Sequence, residues 1–236
     1  GRFQVNGEKI KGAWPWVPAE KLDVLVVLKD GKAHVVREGM KFEHAKPCAL
    51  HAAGSAGVQI DGPLAHSFDH QEGYWRSLAR LRVYASSMLV GVAAASLQHA
   101  MKYTQERVAF GRPVAHHQGI AFLIADLAAR IDGARLSLWR AAWALSQKGD
   151  PTEAAAGAYL DAIEIALETG EQGVQLLGGH GYMQDHPVEK WMREARTISQ
   201  FFGGRDAALD DATDRVFSAS ADVGFSLPAW AQNGAH

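Results

Sequence analysis

Cysteine is nearly missing from this chain. Cys48 stands alone among 236 residues, so no internal disulfide can form and nothing calls for an oxidising compartment. A lone cysteine of this kind is expected to be a small buried hydrophobe. An excess of one charge is missing too. The formal net charge of -2 and the lack of a basic stripe remove the electrostatic ground for nucleic acid as a partner. No uninterrupted apolar run reaches the roughly 20 residues of a membrane helix, and no charged segment followed by an apolar core opens the chain. The expectation is therefore a soluble, cytoplasmic protein with no membrane partner. Metal-ligand patterns are lacking as well. His66 and His70 stand four apart but have Ser67 where a zinc protease carries glutamate, and His116, His117, His180 and His186 have neither a cysteine pair nor a third ligand at metal spacing.

What is present is a chain of 47% apolar residues, long enough for one large domain or two small ones, with a change of character near residue 71. Before that point the pattern is short and β-like. Arg2 to Val5, the Asn6-Gly7 turn and Glu8 to Lys11 read as a hairpin, Leu22 to Leu28 and Ala33 to Arg37 as partner strands around Asp30-Gly31, and Val58 to Gly62 as another strand. So small a sheet predicts an edge covered by something else. From Tyr74 the period becomes helical. Residues 74 to 107 carry Leu78, Leu81, Tyr84, Met88, Val92, Leu97 and Met101 without a proline, and residues 117 to 148 carry Leu123, Leu127, Ile131, Ala134 and Leu138. Asp150-Pro151-Thr152-Glu153 opens a third helix that runs to about Leu177; further helices are expected over Val188 to Phe202 and Asp206 to Phe217. Short links between long helices predict an up-and-down bundle. The expected class is α+β, with a partial antiparallel β domain over 1–70, a helical bundle over 71–220 and a tail over 221–236.

Two stretches ask for more than a fold. Gln175-Leu176-Leu177-Gly178-Gly179-His180-Gly181-Tyr182 puts three glycines between helices, where one or two suffice for a turn. It follows a helix and not a strand, so it is no Rossmann fingerprint. Tyr103 to Pro113 ends the first long helix with Arg107, Phe110, Gly111 and Arg112, and His117-Gln118 opens the next. A guanidinium at one helix end beside the free amides of another suits a diphosphate.

These two stretches, together with His186-Pro187-Val188-Glu189-Lys190-Trp191-Met192-Arg193-Glu194-Ala195-Arg196, closely resemble the C-terminal helical domain of acyl-CoA dehydrogenases over residues 71 to 217. Phe3 to Lys9 and Leu22 to Leu28 look like later strands of that family's middle β domain, and its N-terminal domain is not represented. The resemblance implies FAD as cofactor, an acyl-CoA substrate oxidised to 2,3-enoyl-CoA, and an electron-transferring flavoprotein as acceptor. It also implies a dimer or tetramer whose subunits share the cofactor, with another subunit or the missing N-terminal portion as partner. Arg107 would bind the diphosphate, with Phe110 and Gln118 in the same groove. Gln175, Leu176, Leu177, Gly178 and Gly179 would lie along the adenosine diphosphate of a FAD held mainly by the neighbouring subunit, and Arg82 matches an arginine that contacts CoA.

The resemblance breaks at the chemistry. Gly203 occupies the place of the family's usual glutamate base, and Leu81 the place a minority of members use. Lys11 and Ala13 stand where a tryptophan and a threonine commonly pack against the flavin ring. Asp206 and Glu72 are nearby acids that read as helix-start or solvent carboxylates. Three readings stay open: an acyl-CoA dehydrogenase or a subunit of one, a non-catalytic partner subunit, and a related flavin monooxygenase.

Overall fold

The computed structural model describes residues 2–29, 31–69 and 71–220, without the side chains of Arg2, Gln71, Glu72 and 215–220. Asp30, His70 and the stretch read as a tail over 221–236 lie outside the described residues. The β half contains β1 (Arg2–Asn6), β2 (Lys9–Val17), β3 (Leu25–Lys29), β4 (Lys32–Val36), β5 (Met40–His44), β6 (Ala56–Pro63) and β7 (His66–Asp69). These form an antiparallel sheet β1-β2-β6-β5 and a second sheet β3-β4-β7. Alternating apolar residues from both sheets meet in one core of Ile10, Val27, Val36, Val58 and Ile60. Asn6-Gly7 makes the expected hairpin, with Gly7 at φ 60°. Pro15 lies inside β2 where the pairing with β6 shifts register between Trp14 and Val17, the place where a strand tolerates a missing amide. The expectations omit β5 and β7. His66 lies on β7, so the four-residue step to His70 does not make a shared helix face.

The helical half holds α1 (Gln71–Glu106), α2 (Gln118–Ser146), α3 (Thr152–Leu177), α4 (Val188–Ile198) and α5 (Gly204–Ser220). Helix α3 packs against each of the other four and carries fifteen buried residues, among them Tyr159, Ile163 and Val174. Its start is held by Asp150, whose Oδ1 accepts from the Thr152 backbone amide (3.0 Å) and hydroxyl (2.5 Å). Arg76 of α1 donates to Leu145, Gln147 and Gly149 at 2.7, 2.9 and 3.1 Å, satisfying carbonyls that the end of α2 leaves free.

Several expectations change here. The buried face of α1 runs through Leu78, Ala85, Leu89, Ala93, Leu97 and Ala100, whereas Tyr84, placed on the apolar stripe, is 61% exposed. The alanines explain the shift, because small side chains let α1 approach α3 closely. Over Gly73–Glu106, α1 is long and apolar enough by composition to cross a membrane, contrary to the reading of uninterrupted runs; 44% of its most apolar window is buried inside this fold. Helix α4 stops at Ile198 and not at Phe202. A 3-10 turn (Phe201–Gly203) follows, with Phe202 at φ 53° and Gly203 and Gly204 at 91° and 69°, which breaks the α-helical path before α5. Cys48 is exposed, not a buried hydrophobe.

Candidate functional site

A groove of about 520 Å³ opens where α1 ends, α2 begins and α3 ends. It is lined by Tyr103, Arg107, Ile120, Leu123, Gln175 to Gly179 and His180. Arg107 follows the last residue of α1, and its amide still bonds to the Tyr103 carbonyl at 2.8 Å, so the helix itself aims the side chain. The chain then makes a two-residue hairpin between β8 (Val108–Ala109) and β9 (Arg112–Pro113). Phe110 and Gly111 at its tip both have positive φ, 52° and 81°. Phe110 is 96% exposed. His117 braces this hairpin: its Nε2–H donates to the Ala109 carbonyl (3.2 Å) while Nδ1 accepts from Arg112 (3.1 Å).

The glycines of the opposite wall divide the work. Gly178 takes φ 58°, a conformation that favours glycine. A Cβ on Gly181 would lie 2.3 Å from the Val174 carbonyl oxygen, so this glycine lets the turn fold back onto α3. A Cβ on Gly179 would meet nothing within 4 Å, and the space beside it is open to a ligand. The groove is polar in two senses. Carbonyls at the C-terminus of α3 suit hydroxyl or amine donors, whereas Arg107 and the N-terminus of α2 suit an anion. The residues present thus fit a nucleoside diphosphate portion. Beside the groove the Tyr103 hydroxyl lies 2.6 Å from His180 Nδ1, and His99 Nε2 lies 3.0 Å from His186 Nδ1. Burial, then the neighbouring His186 and Lys102, lowers the His99 pKa below 6.5. Among the described residues no group of three His, Cys, Asp or Glu is placed to hold a metal.

Two cavities adjoin at Phe202 and Gly203, between the β half and the bundle. The larger, about 1010 Å³, is lined by Phe3, Trp14, Trp16 and Val27 from the strands and by Arg193, Arg196, Thr197 and Phe201 from the helices. Phe3 and Trp14 stack at 4.7 Å, and the Trp16 indole N–H is buried without a partner. Arg193 donates to Glu189 Oε2 (2.7 Å) and to the Cys48 carbonyl, and the hydrogen bond from Arg193 pulls the Glu189 pKa below its ordinary value. The smaller cavity, about 530 Å³, brings Leu81 and Gly203 onto one wall with Tyr74, Arg82 and Asp211. Arg82 is 1% exposed and contacts Asp211 Oδ2 at 2.5 Å, with its Nε unpartnered. Tyr159 fastens the turn between the cavities, its hydroxyl lying 3.0 and 2.9 Å from the Ile198 and Phe201 carbonyls. Burial raises the Tyr159 pKa to about 12, even with Arg82 pulling it down.

Of the residues singled out by sequence, Arg107, Gln175, Leu176, Leu177, Gly178 and Gly179 converge on the groove, whereas Phe110 and Gln118, expected in the same groove, are not among its lining residues: Phe110 sits exposed at the hairpin tip and Gln118 opens α2. Arg82 is deep in the bundle. Asp206 is exposed in the first turn of α5, and the Glu72 side chain lies outside the described residues. Lys11 pairs with Asp61 at 3.1 Å on the outer surface. Trp14, Trp16 and Asp211 escaped the sequence reading. The Trp-Pro-Trp run in a strand was the available signal for the first two; Asp211 had none, because its partner is 129 positions away.

A family model described as "Acyl-CoA dehydrogenase, C-terminal domain" matches residues 75–217. An "Acyl-CoA dehydrogenase" of Bacillus subtilis is 36% identical over 56% of this chain and 36% of its own length. The "Caffeyl-CoA reductase-Etf complex subunit CarC" of Acetobacterium woodii is 37% identical over 52% of this chain and 32% of its own. Among solved structures, butyryl-CoA dehydrogenase from Megasphaera elsdenii has a TM-score of 0.76 at 21% identity, covering 91% of this chain and 62% of that one, a likeness of fold. The chain thus spans about a third of the length of these curated relatives.

Proposed function

The chain belongs to the acyl-CoA dehydrogenase family, and from that premise we propose that it forms part of a FAD-dependent enzyme oxidising acyl-CoA to 2,3-enoyl-CoA, with the proton-abstracting carboxylate supplied by another chain or portion. The observation that carries this reading is the cavity in which Leu81 and Gly203 meet. Asp211 is the one carboxylate on its wall among the described residues, and Arg82 holds it. Asp211 already serves as the counter-ion of the buried Arg82 guanidinium, so drawing it away to a substrate would leave that cation unpaired.

When bound, FAD supplies the acceptor for the β-hydride. Arg107 would neutralise its diphosphate, the open backbone at Gly179 would let the adenosine portion approach, and Phe110 and Gln118 would close the groove from the hairpin side. Trp14, Trp16 and Phe3 would exclude water from the larger cavity. Arg82, buried in the wall of the smaller cavity, would contribute positive potential toward the CoA portion of a thioester. Leu81, by the cavity, and Tyr103, by the groove, stand about 33 Å apart along α1 at 1.5 Å per residue. That is farther than one flavin dinucleotide extends, which supports groove and cavity serving different cofactor molecules in a dimer or tetramer. The name of the A. woodii relative, a subunit of an Etf complex, supports an electron-transferring flavoprotein as acceptor.

A non-catalytic partner subunit is the second reading, favoured by the same empty positions. Anaerobic titration of the FAD-loaded protein with acyl-CoA, followed by flavin absorbance, separates the two. Bleaching only after addition of a chain carrying the missing carboxylate is expected. Bleaching by this chain alone would overturn the supplied base, and failure to retain FAD with or without the second chain would overturn the cofactor reading.

A further inference from the structure

Among the described residues, two side-chain hydrogen bonds tie the segment 178–187 to α1, and both go through imidazole. Tyr103 meets His180 in the groove lining. One turn back along α1, His99 meets His186, which stands just before Pro187 at the start of α4. The rings of this cluster also touch one another: His186 lies edge-on to Tyr103 at 5.6 Å and 6.0 Å from His180, while His99 rests against Trp191 of α4 at 6.1 Å. Whatever displaces His186 therefore loosens two groove-lining side chains.

The two ties answer a proton differently. A phenol can give or take a hydrogen bond, so when His180 is protonated at Nδ1 its bond to Tyr103 reverses and survives. Between His99 Nε2 and His186 Nδ1, 3.0 Å apart, one nitrogen must stay bare. A first extra proton on the pair is shared; a second sets two N–H groups and two positive charges face to face. The surroundings do little to hold that second charge. Burial of His99 and Lys102 on α1 both oppose it. On α4, Trp191 faces His99, Glu189 is held by Arg193 and Glu194 by Lys190, and on α3 Glu171 is held by Arg196. Asp185, exposed, adjoins His186 in the chain and does not act on His99. We propose that the His99–His186 pair is a proton-operated latch on the groove: with a bare nitrogen between the rings the turn stays seated and the groove holds its ligand, and in acid double protonation unseats the turn and releases it. That the ligand is a nucleoside diphosphate rests on the proposed function; the latch rests on the rings. Charge alone would act in the reverse sense, since protons added near Arg107 would tighten the hold on an anion.

Two measurements on the full chain, ADP binding by calorimetry and hydrogen exchange of the 178–187 amides corrected for intrinsic rate, test the latch from about pH 7.5 to about pH 5. Wild type is expected to lose ADP affinity on the acid side of 6.5, by up to about tenfold per pH unit for one added proton, and to lose protection over 178–187 in step. His99→Gln, whose amide both donates and accepts but does not titrate, is expected to hold both readouts nearly constant, whereas His180→Gln should leave both acid transitions in place. The wild-type readouts need neither variant to fold. ADP affinity that rises in acid, wild-type protection that ignores pH, or a wild-type acid transition in His99→Gln would each overturn the latch. Acid-dependent protection with no ADP binding at any pH would uphold the latch and overturn the nucleotide reading instead.

Discussion

Two glycine turns end two helices of the same bundle, and they are built oppositely. At 178–181 the backbone folds back on α3 through Gly181, while Gly179 faces open space. At 203–204 the chain closes on itself: Gly203 has φ 91°, and a Cβ there would stand 2.6 Å from that of Ala207. The first turn leaves room for something outside the chain, and the second has filled its room from within. The lesson is that the backbone at Gly203 has a conformation and a neighbour that disfavour any side chain.

The largest expected effect bears on the wall of the smaller cavity. Asp211→Ala leaves the Arg82 cation buried and unpaired and should cost about 3–5 kcal/mol in urea unfolding. Replacing both residues by apolar ones, Arg82→Met with Asp211→Leu, should recover most of that loss. If the single variant is neutral, the cavity is wetter than its burial indicates.

Next, pH should separate the two regions. The Tyr159 phenol ionises near 10 in the unfolded chain and at about 12 in the folded one, so its stabilising contribution is complete below pH 10 and is lost between 10 and 12. The full loss is about 2.7 kcal/mol. Beside the groove, folded His99 takes up a proton at lower pH than the unfolded chain does; stability is therefore full above the ordinary 6.5 and falls as pH drops below it. Melting temperatures across pH should show both limbs, with Tyr159→Phe flattening the alkaline one and His99→Asn the acid one.

Within the groove turn, Gly181→Ala should cost about 1–3 kcal/mol through its clash with Val174. Gly179→Ala should change stability by less than about 0.5 kcal/mol yet weaken FAD retention, measured by fluorescence of released flavin. Equal destabilisation by both would dissolve the distinction between packed and open glycines. The smallest expected effect is chemical: Leu81→Glu should give a trace of acyl-CoA-dependent bleaching, whereas Gly203→Glu should give none and lower the melting temperature.

Much of the molecule was legible before the coordinates. Helices α2 and α3 were marked by apolar steps of three and four and by Asp150-Pro151, signals that are local by nature. The groove was legible because its residues are close in sequence to helix ends, where free amides and carbonyls dictate what can bind. Strands β5 and β7 were not, since Met40–His44 and His66–Asp69 are short runs whose pairing depends on partners elsewhere in the chain. Nor was the inner face of α1, where alanine marks close approach more faithfully than leucine marks burial. The Arg82–Asp211 pair lies beyond any pattern of local periodicity.

The length of α1 carries one more consequence. With groove and cavity held about 33 Å apart on a single rod, a lone chain on the proposed reading has two half-sites and no whole one. Cofactor binding then obeys mass action in protein as well as in flavin: dilution alone should release FAD, and the apparent affinity becomes a property of the solution's protein concentration.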